Sequence, residues 1–217
     1  MFGERARRVV SSFVDGGGVG ELEARCELPS LSSFLRVLHF CERSAAWGAS
    51  HRCHRADYFW RAEGGAEEVR SSREHRAGAP TTIAHVCKQR IASASGCFRA
   101  CDGAEALRPK LVHSSEAAVD PETLPEVAQL LHVRRKDSSV FEFDVEGIGL
   151  EVCLSAWRGG DDISALESAP VRYSLELELL RCPSLCDPCL LEDAMAANFN
   201  ALLAGMGGAA AAAVEWQ

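Results

Sequence analysis

Two short runs of alternating glutamate, Glu21-Leu22-Glu23 and Glu176-Leu177-Glu178, stand near the two ends of the chain. Successive side chains of an extended strand point to opposite faces, so each run sets two carboxylates on one face and a leucine on the other. Carboxylates paired in this way suit a hard divalent cation. Either run alone fits equally well the solvated face of an antiparallel sheet, where polar and apolar residues alternate as a rule. The segments between the runs shift that balance, because they are strand-like and carry Arg and Lys at the same alternation. A sheet closed over both signs encloses a charged interior, and such an interior requires a ligand.

Parity sorts the charges. Glu21, Glu23 and Arg25 share a face opposite Leu22 and Ala24. Lys88 and Arg90 share another, Arg99 projects from the run Cys97 to Cys101, and His132, Arg134 and Lys136 project together. Asp144 and Glu146 follow, and Glu176 and Glu178 close the series. Like charges opposed across a sheet destabilise it. Converging glutamates therefore call for a divalent cation, and the Arg and Lys set calls for an anion of several charges. A polyphosphate bound through Mg²⁺ or Mn²⁺ meets both demands, with carboxylate oxygens on the metal and guanidinium forks on the phosphate. This is the equipment of phosphoryl transfer, where catalysis is mostly positioning and charge neutralisation.

The elements that must position these groups follow from the pattern. Phe2, Ala6, Val9, Val10 and Phe13 recur at helical spacing, which predicts a short amphipathic helix before the hinge Gly16 to Gly18. Val19 to Leu28 reads as a strand, and Ser30 to Arg43 as a helix behind serine capping candidates. Alternating runs around Ala56 to Arg61 and Glu68 to Arg73 flank Gly64-Gly65 as a hairpin. Further strands are predicted at Thr82 to Ile91, Cys97 to Cys101, Leu111 to His113, Leu131 to Ser138, Val140 to Val145, Leu150 to Ala156 and Val171 to Leu180, with a short helix or loop from Pro121 to Gln129. About nine strands at regular spacing suggest a barrel or a sandwich. A helix over Leu190 to Leu203 and a Gly/Ala-rich tail without chemistry, including Ala209 to Ala213, complete the chain.

The 217 residues fit one domain, and 47% hydrophobic and 25% charged residues are ordinary for a globular protein. A net charge of -8 argues against coating nucleic acid by sheer charge, while leaving room for a local basic pocket. No apolar stretch approaches the roughly 20 residues needed to span a bilayer. The first residues lack a signal peptide's apolar core, so the chain is not expected to be secreted. Ten cysteines are then read as reduced thiols of a cytosolic or nuclear protein. For zinc, only Cys186 and Cys189 have Cys-x2-Cys spacing; neither the cluster with Cys182 nor that of His51, Cys53 and His54 supplies the usual duplicate.

With these residues in place, the order of motifs resembles the triphosphate tunnel metalloenzymes. It is most similar to the tunnel-type RNA triphosphatases of fungal and protist mRNA capping. The resemblance rests on Glu21-x-Glu23, on the basic alternation His132, Arg134, Lys136 followed by an Asp-containing strand, and on Tyr173-Ser174-Leu175-Glu176-Leu177-Glu178. It runs from about Gly18 to Leu180. It implies an α+β, β-dominated fold, a closed antiparallel barrel of eight or so strands with flanking helices. Residues 1–17 would form the helix and hinge, 18–180 the tunnel, and 181–217 a helix and tail of the same domain.

It further implies that Glu21, Glu23 and Glu178 hold Mg²⁺ or Mn²⁺ with Glu176 beside them. Arg70, Lys88, Arg99, Arg134 and Lys136 would grip the triphosphate, with Arg25, Arg90 and His132 sharing their faces. Asp144 would reach water at the metal or a basic partner, and Glu105 would orient the attacking water. Three positions depart from the pattern: Ser174 where the family often has Glu, His132 where Arg is usual, and Arg25 where Lys is frequent.

The activity implied is removal of the γ-phosphate from a 5′-triphosphate RNA end, the first step of cap formation, with NTP hydrolysis as a side activity. Alternatives are hydrolysis of inorganic tripolyphosphate or thiamine triphosphate in the same fold, and a non-catalytic barrel that binds a phosphorylated ligand or a protein. A capping role implies the nucleus and an RNA guanylyltransferase supplied by another protein.

Overall fold

Alternation fixes the strands. In β1 (Glu21–Leu28), Leu22, Ala24, Cys26 and Leu28 are buried on one face, while Glu21, Glu23 and Arg25 project from the other. The computed structural model describes residues 3–44, 49–62, 68–98, 106–123, 128–183, 187–206 and 214–216. Its remaining strands are β2 (Ala49–Ala62), β3 (Glu68–Arg76), β4 (Thr82–Cys97), β5 (Lys110–Ala118), β6 (Ala128–Val145), β7 (Ile148–Gly160), β8 (Arg172–Arg181) and β9 (Glu215–Trp216). They lie in the order β3-β2-β6-β7-β8-β1-β5-β4-β9, and β3 also pairs with β4. That last pairing closes an antiparallel barrel of eight strands, with β9 added at the end of β4. Register shifts leave Leu131 of β6, Ile91 of β4 and Leu180 of β8 as extra residues in their ladders, and such bulges bend strands and help a sheet to close.

The apolar core lies outside the barrel. Leu22, Leu150, Leu154, Leu175 and Leu177 point outward and are fully buried. They share one cluster with Val9, Val10 and Phe13 of α1 (Glu4–Asp15), Phe34 and Val37 of α2 (Leu31–Arg43), and Met195, Phe199 and Leu202 of α4 (Pro188–Ala204). Small barrels commonly fill their interior with apolar side chains. Here the helices supply the burial that stabilises the sheet from outside, so the interior is free to be polar.

Helix starts follow the capping signals. Ser30 accepts from Ser33 N at 3.2 Å, and Asp187 caps α4 ahead of Pro188 at its first turn. Gly20 admits the chain to β1: its φ is +99°, and a Cβ there would sit 2.3 Å from the Ser114 carbonyl oxygen.

Several expected boundaries change. Leu131 to Ser138 and Val140 to Val145 form the single strand β6, because the Ser138-Ser139 pair that reads as a break faces a partner: Ser138 and Ser155 share a hydroxyl hydrogen bond at 2.8 Å. Thr82 to Ile91 likewise runs on to Cys97 through the bulge at Ile91. Pro121–Thr123 form one 3₁₀ turn. Neither α3 (Ile163–Ser168) nor β9 carries a pattern of its own; α3 rests on an Asp162 cap and packing against β7, and β9 on pairing with β4. The Gly64-Gly65 turn and the tail 209–213 lie outside the described residues. Among the described residues Cys26, Cys41, Cys53, Cys97, Cys153, Cys182 and Cys189 are free thiols, and no helix is long and apolar enough to cross a membrane.

Candidate active site

Barrel closure turns the polar faces inward, and the register then lines up like charges. Glu23 of β1 stands directly opposite Glu178 of β8, Glu178 opposite Glu151 of β7, and Glu151 opposite Glu142 of β6. A row of four glutamates thus crosses four neighbouring strands, with Glu21 flanking it. Burial pushes the Glu178 carboxyl up to about 8, with Glu21, Glu151 and Glu23 adding to the rise and Lys88 opposing it. Burial likewise raises Glu23, against Lys88 and Arg25, and raises Glu151, which also feels Glu142. Such an arrangement is costly unless positive charge joins it.

The donor set fits a divalent cation. The oxygens are hard, and buried Glu23 Oε1 makes no hydrogen bond although Arg25 Nη1 lies 3.0 Å away. Among the described residues no three metal-ligating side chains yet stand close enough to hold an ion. They share a wall instead, with Glu23, Glu178 and Glu151 as register neighbours on adjacent strands.

Cations occupy the rest of the lumen. Lys88 is ion-paired with Glu21 and lies 3.8 Å from Glu116, which Arg70 holds at 2.9 Å. Lys136 Nζ lies 3.0 Å from Glu176 Oε1; burial alone would raise that carboxyl, yet Lys136, with Arg134 and Arg25 behind it, holds it below its usual range. Glu176 is therefore a partner of the basic set, set apart from the acidic row. Arg25, Lys110, Arg134 and Lys136 line a cavity of about 720 Å³, and Arg25, Arg70, Lys88 and Arg90 line a smaller one of about 200 Å³. This space accepts a multiply charged anion beside the carboxylate wall.

Not every predicted residue joins the set. Asp144 lies exposed at the rim end of β6, opposite Gly149 and just before the turn to β7; its oxygens accept from Arg181 at 3.0 Å and from Gly147 N at 2.8 Å. Its basic partner is Arg181, and the structure does not bring it together with Glu21, Glu23 and Glu178. His132 sits against the Phe59 ring, 5.9 Å between centroids. Arg99 and Glu105 lie outside the described residues, as does Cys186. No zinc cluster appears among the described residues.

Sequence reasoning missed Asp57, Arg55, Glu116, Glu142 and Glu151. Asp57 is fully buried in the wall, accepting from Arg134 at 2.7 and 3.1 Å, from Arg55 at 2.6 Å and from Ser72 at 2.7 Å. Burial works to raise it, but Arg55 and Arg134 prevail and hold the carboxyl well below the usual range. Its signal was present as Arg55-x-Asp57, the same alternation within a predicted hairpin strand.

Compared with solved structures, the chain aligns with the triphosphatase of the mimivirus capping enzyme over 93% of its own length and 98% of that chain, at TM-score 0.61 and 15% identity. It aligns with the RNA triphosphatase of S. pombe over 83% of its length and 80% of that chain, at TM-score 0.56 and 14% identity. The chain has the triphosphate-tunnel fold. No family model matches it, and no curated protein matches it significantly by sequence. Within this tunnel fold the acidic row and the basic lumen are features of the chain's own residues, since sequence identity this low transfers none of them.

Proposed function

We propose that the protein hydrolyses the γ-phosphate of 5′-triphosphate-terminated RNA in a reaction that depends on Mg²⁺ or Mn²⁺. The observation that carries this reading is the meeting of a carboxylate wall and a basic lumen inside one closed barrel. Glu21, Glu23 and Glu178 would hold the metal, with Glu176 supporting them through Lys136. A divalent cation there supplies charge neutralisation at the γ-phosphate. The chain's own residues do the rest: Arg70, Lys88, Arg134 and Lys136 orient the phosphates and offset the charge that spreads over their oxygens, with Arg25 and Arg90 beside them; Arg99 remains a proposed further phosphate contact. Asp57 locks the Arg134 guanidinium in one orientation, so less order is lost when the anion binds. Glu105 remains the proposed group for orienting the attacking water.

RNA is preferred to small triphosphates because both aligned structures come from mRNA-capping or RNA triphosphatases. That role implies the nucleus and an RNA guanylyltransferase to receive the diphosphate end. The test is phosphate release from 5′-triphosphate RNA, tripolyphosphate and ATP, with Mg²⁺, with Mn²⁺ and with chelator. Metal-dependent release that is fastest on RNA is expected. Strong preference for tripolyphosphate moves the assignment to a small-triphosphate hydrolase, and no release from any of the three ends the hydrolase reading.

A further inference from the structure

The two ends of the tunnel differ in chemistry. At the end where β6, β7 and β8 carry Glu142, Glu151 and Glu178, the rim adds Asp144 and Glu146. At the other end the cavity beside Arg25 is lined also by Trp157, Arg172, Arg108 and Lys110. A polyanion is attracted to the second mouth and repelled by the first.

That second mouth carries aromatic side chains for which a bare polyphosphate has no use. Trp157 faces the lumen in step with Ser155, and the Arg172 guanidinium lies 5.2 Å from its ring centroid. On the neighbouring strands the Arg134 guanidinium lies 5.3 Å over the Phe59 ring, and His132 packs against that ring. Gly159 makes the arrangement fit: a Cβ there would come within 2.6 Å of His132 Nε2 and 3.2 Å of Trp157 Cζ3. The indole and the imidazole share that space because the strand ends in glycine. Arg172 is also easily released, since its ion pair with Glu27 joins side chains 55% and 56% exposed, a setting in which such pairs contribute little.

We propose that this mouth seats the first nucleosides of a single-stranded polynucleotide whose 5′-triphosphate lies in the tunnel. The leading base stacks on Trp157, and Arg172, Arg108 and Lys110 meet the backbone phosphates. Stacking accepts every base, because each has a π-face. The seat therefore selects polynucleotide over inorganic polyphosphate without selecting sequence. It rests on the triphosphatase reading of the tunnel.

The test compares the affinities of an oligoribonucleotide bearing a β,γ-methylene 5′-triphosphate and of methylene-bridged tripolyphosphate, by fluorescence anisotropy and competition in Mn²⁺. For Trp157→Ala, the preference for the oligonucleotide over the small anion is expected to fall about tenfold. Trp157→Phe is expected to restore most of it, and Arg172→Ala, at an exposed position, to lower it in the same direction. An unchanged preference in Trp157→Ala, or equal loss of both ligands, overturns the seat. If the preference falls but the wild-type protein releases no phosphate, the seat stands and the hydrolase reading fails. If phosphate is released and the preference is unchanged, the hydrolase reading stands and the seat fails.

Discussion

Alanine at Glu178 or at Glu21 is expected to cut phosphate release from 5′-triphosphate RNA by ~10²-fold or more, while in Glu178→Ala the melting temperature of the metal-free protein stays level or rises. The rate loss follows from removing a ligand of the charge-neutralising cation, which commonly costs that much. The stability half follows from the register. Glu178 lies between Glu23 and Glu151, each directly opposite it on a neighbouring strand, and is half-buried among them. Like charges so placed destabilise a sheet. Removing one relieves its neighbours, whereas a residue kept for structure shows the opposite sign. Steady-state kinetics and thermal melts on the same preparations read both halves. Full activity in either variant would sink the metal assignment.

The reverse pattern is expected at Asp57. Asp57→Ala leaves Arg55 and Arg134 unpaired within the wall, and breaking a buried pair in this way costs about 3–5 kcal/mol. For a chain of this size that is a fall of about 10 °C in melting temperature. Activity should fall as well, because Arg134 loses the carboxylate that fixes its guanidinium at 2.7 and 3.1 Å. The folded carboxyl titrates below its unfolded value, so its contribution is complete above about pH 4 and is lost as the pH falls further toward the folded value. The gap in melting temperature between wild type and Asp57→Asn should therefore narrow below about pH 4. A gap that stays constant into strong acid contradicts this assignment.

The contrast between these residues shows what alternation alone can reveal. Glu21, Glu23, Glu176 and Glu178 stand two apart on strands with leucine between them, so their shared face was legible, and the same holds for Lys88 with Arg90 and for Arg134 with Lys136. The helices were legible too, because Val9, Val10 and Phe13 recur at 3.6-residue spacing and are buried as that spacing predicts; in α2 the face expected from Leu31, Phe34, Leu35, Leu38 and Cys41 is turned, since Phe34 and Cys41 are buried with Val37 while Leu31 and Leu35 are exposed. Asp57 and Glu151 obey the same alternation but are single acids in their strands, and a single acid on a β face is usually solvated; Glu142 is followed at the same parity by Asp144. Only closure of β3 on β4 makes that face an interior, and closure is a long-range event that no local window reports.

Asp144 illustrates the converse. Its parity agrees with that of Glu142, yet position along the strand decides the outcome: two residues farther on, at the exposed end of β6, Asp144 accepts from Gly147 N of the turn and from Arg181. The division of labour between the two glutamate runs likewise came from register. Glu178 faces glutamates on both sides, whereas Glu176 lies opposite Arg25 and Cys153 and is held by Lys136. Helix α3 and strand β9 were invisible because neither is stable without its neighbours.

If metal and triphosphate occupy one site, each must strengthen the binding of the other. Calorimetric titration of a methylene-bridged tripolyphosphate into the protein, with and without Mn²⁺, measures that coupling directly. At least tenfold tighter anion binding is expected with Mn²⁺, a coupling of about 1.4 kcal/mol or more, and it should be lost in Glu178→Ala. Anion binding of equal strength with and without the metal would contradict a shared site and leave a barrel that binds polyanions without catalysing their hydrolysis.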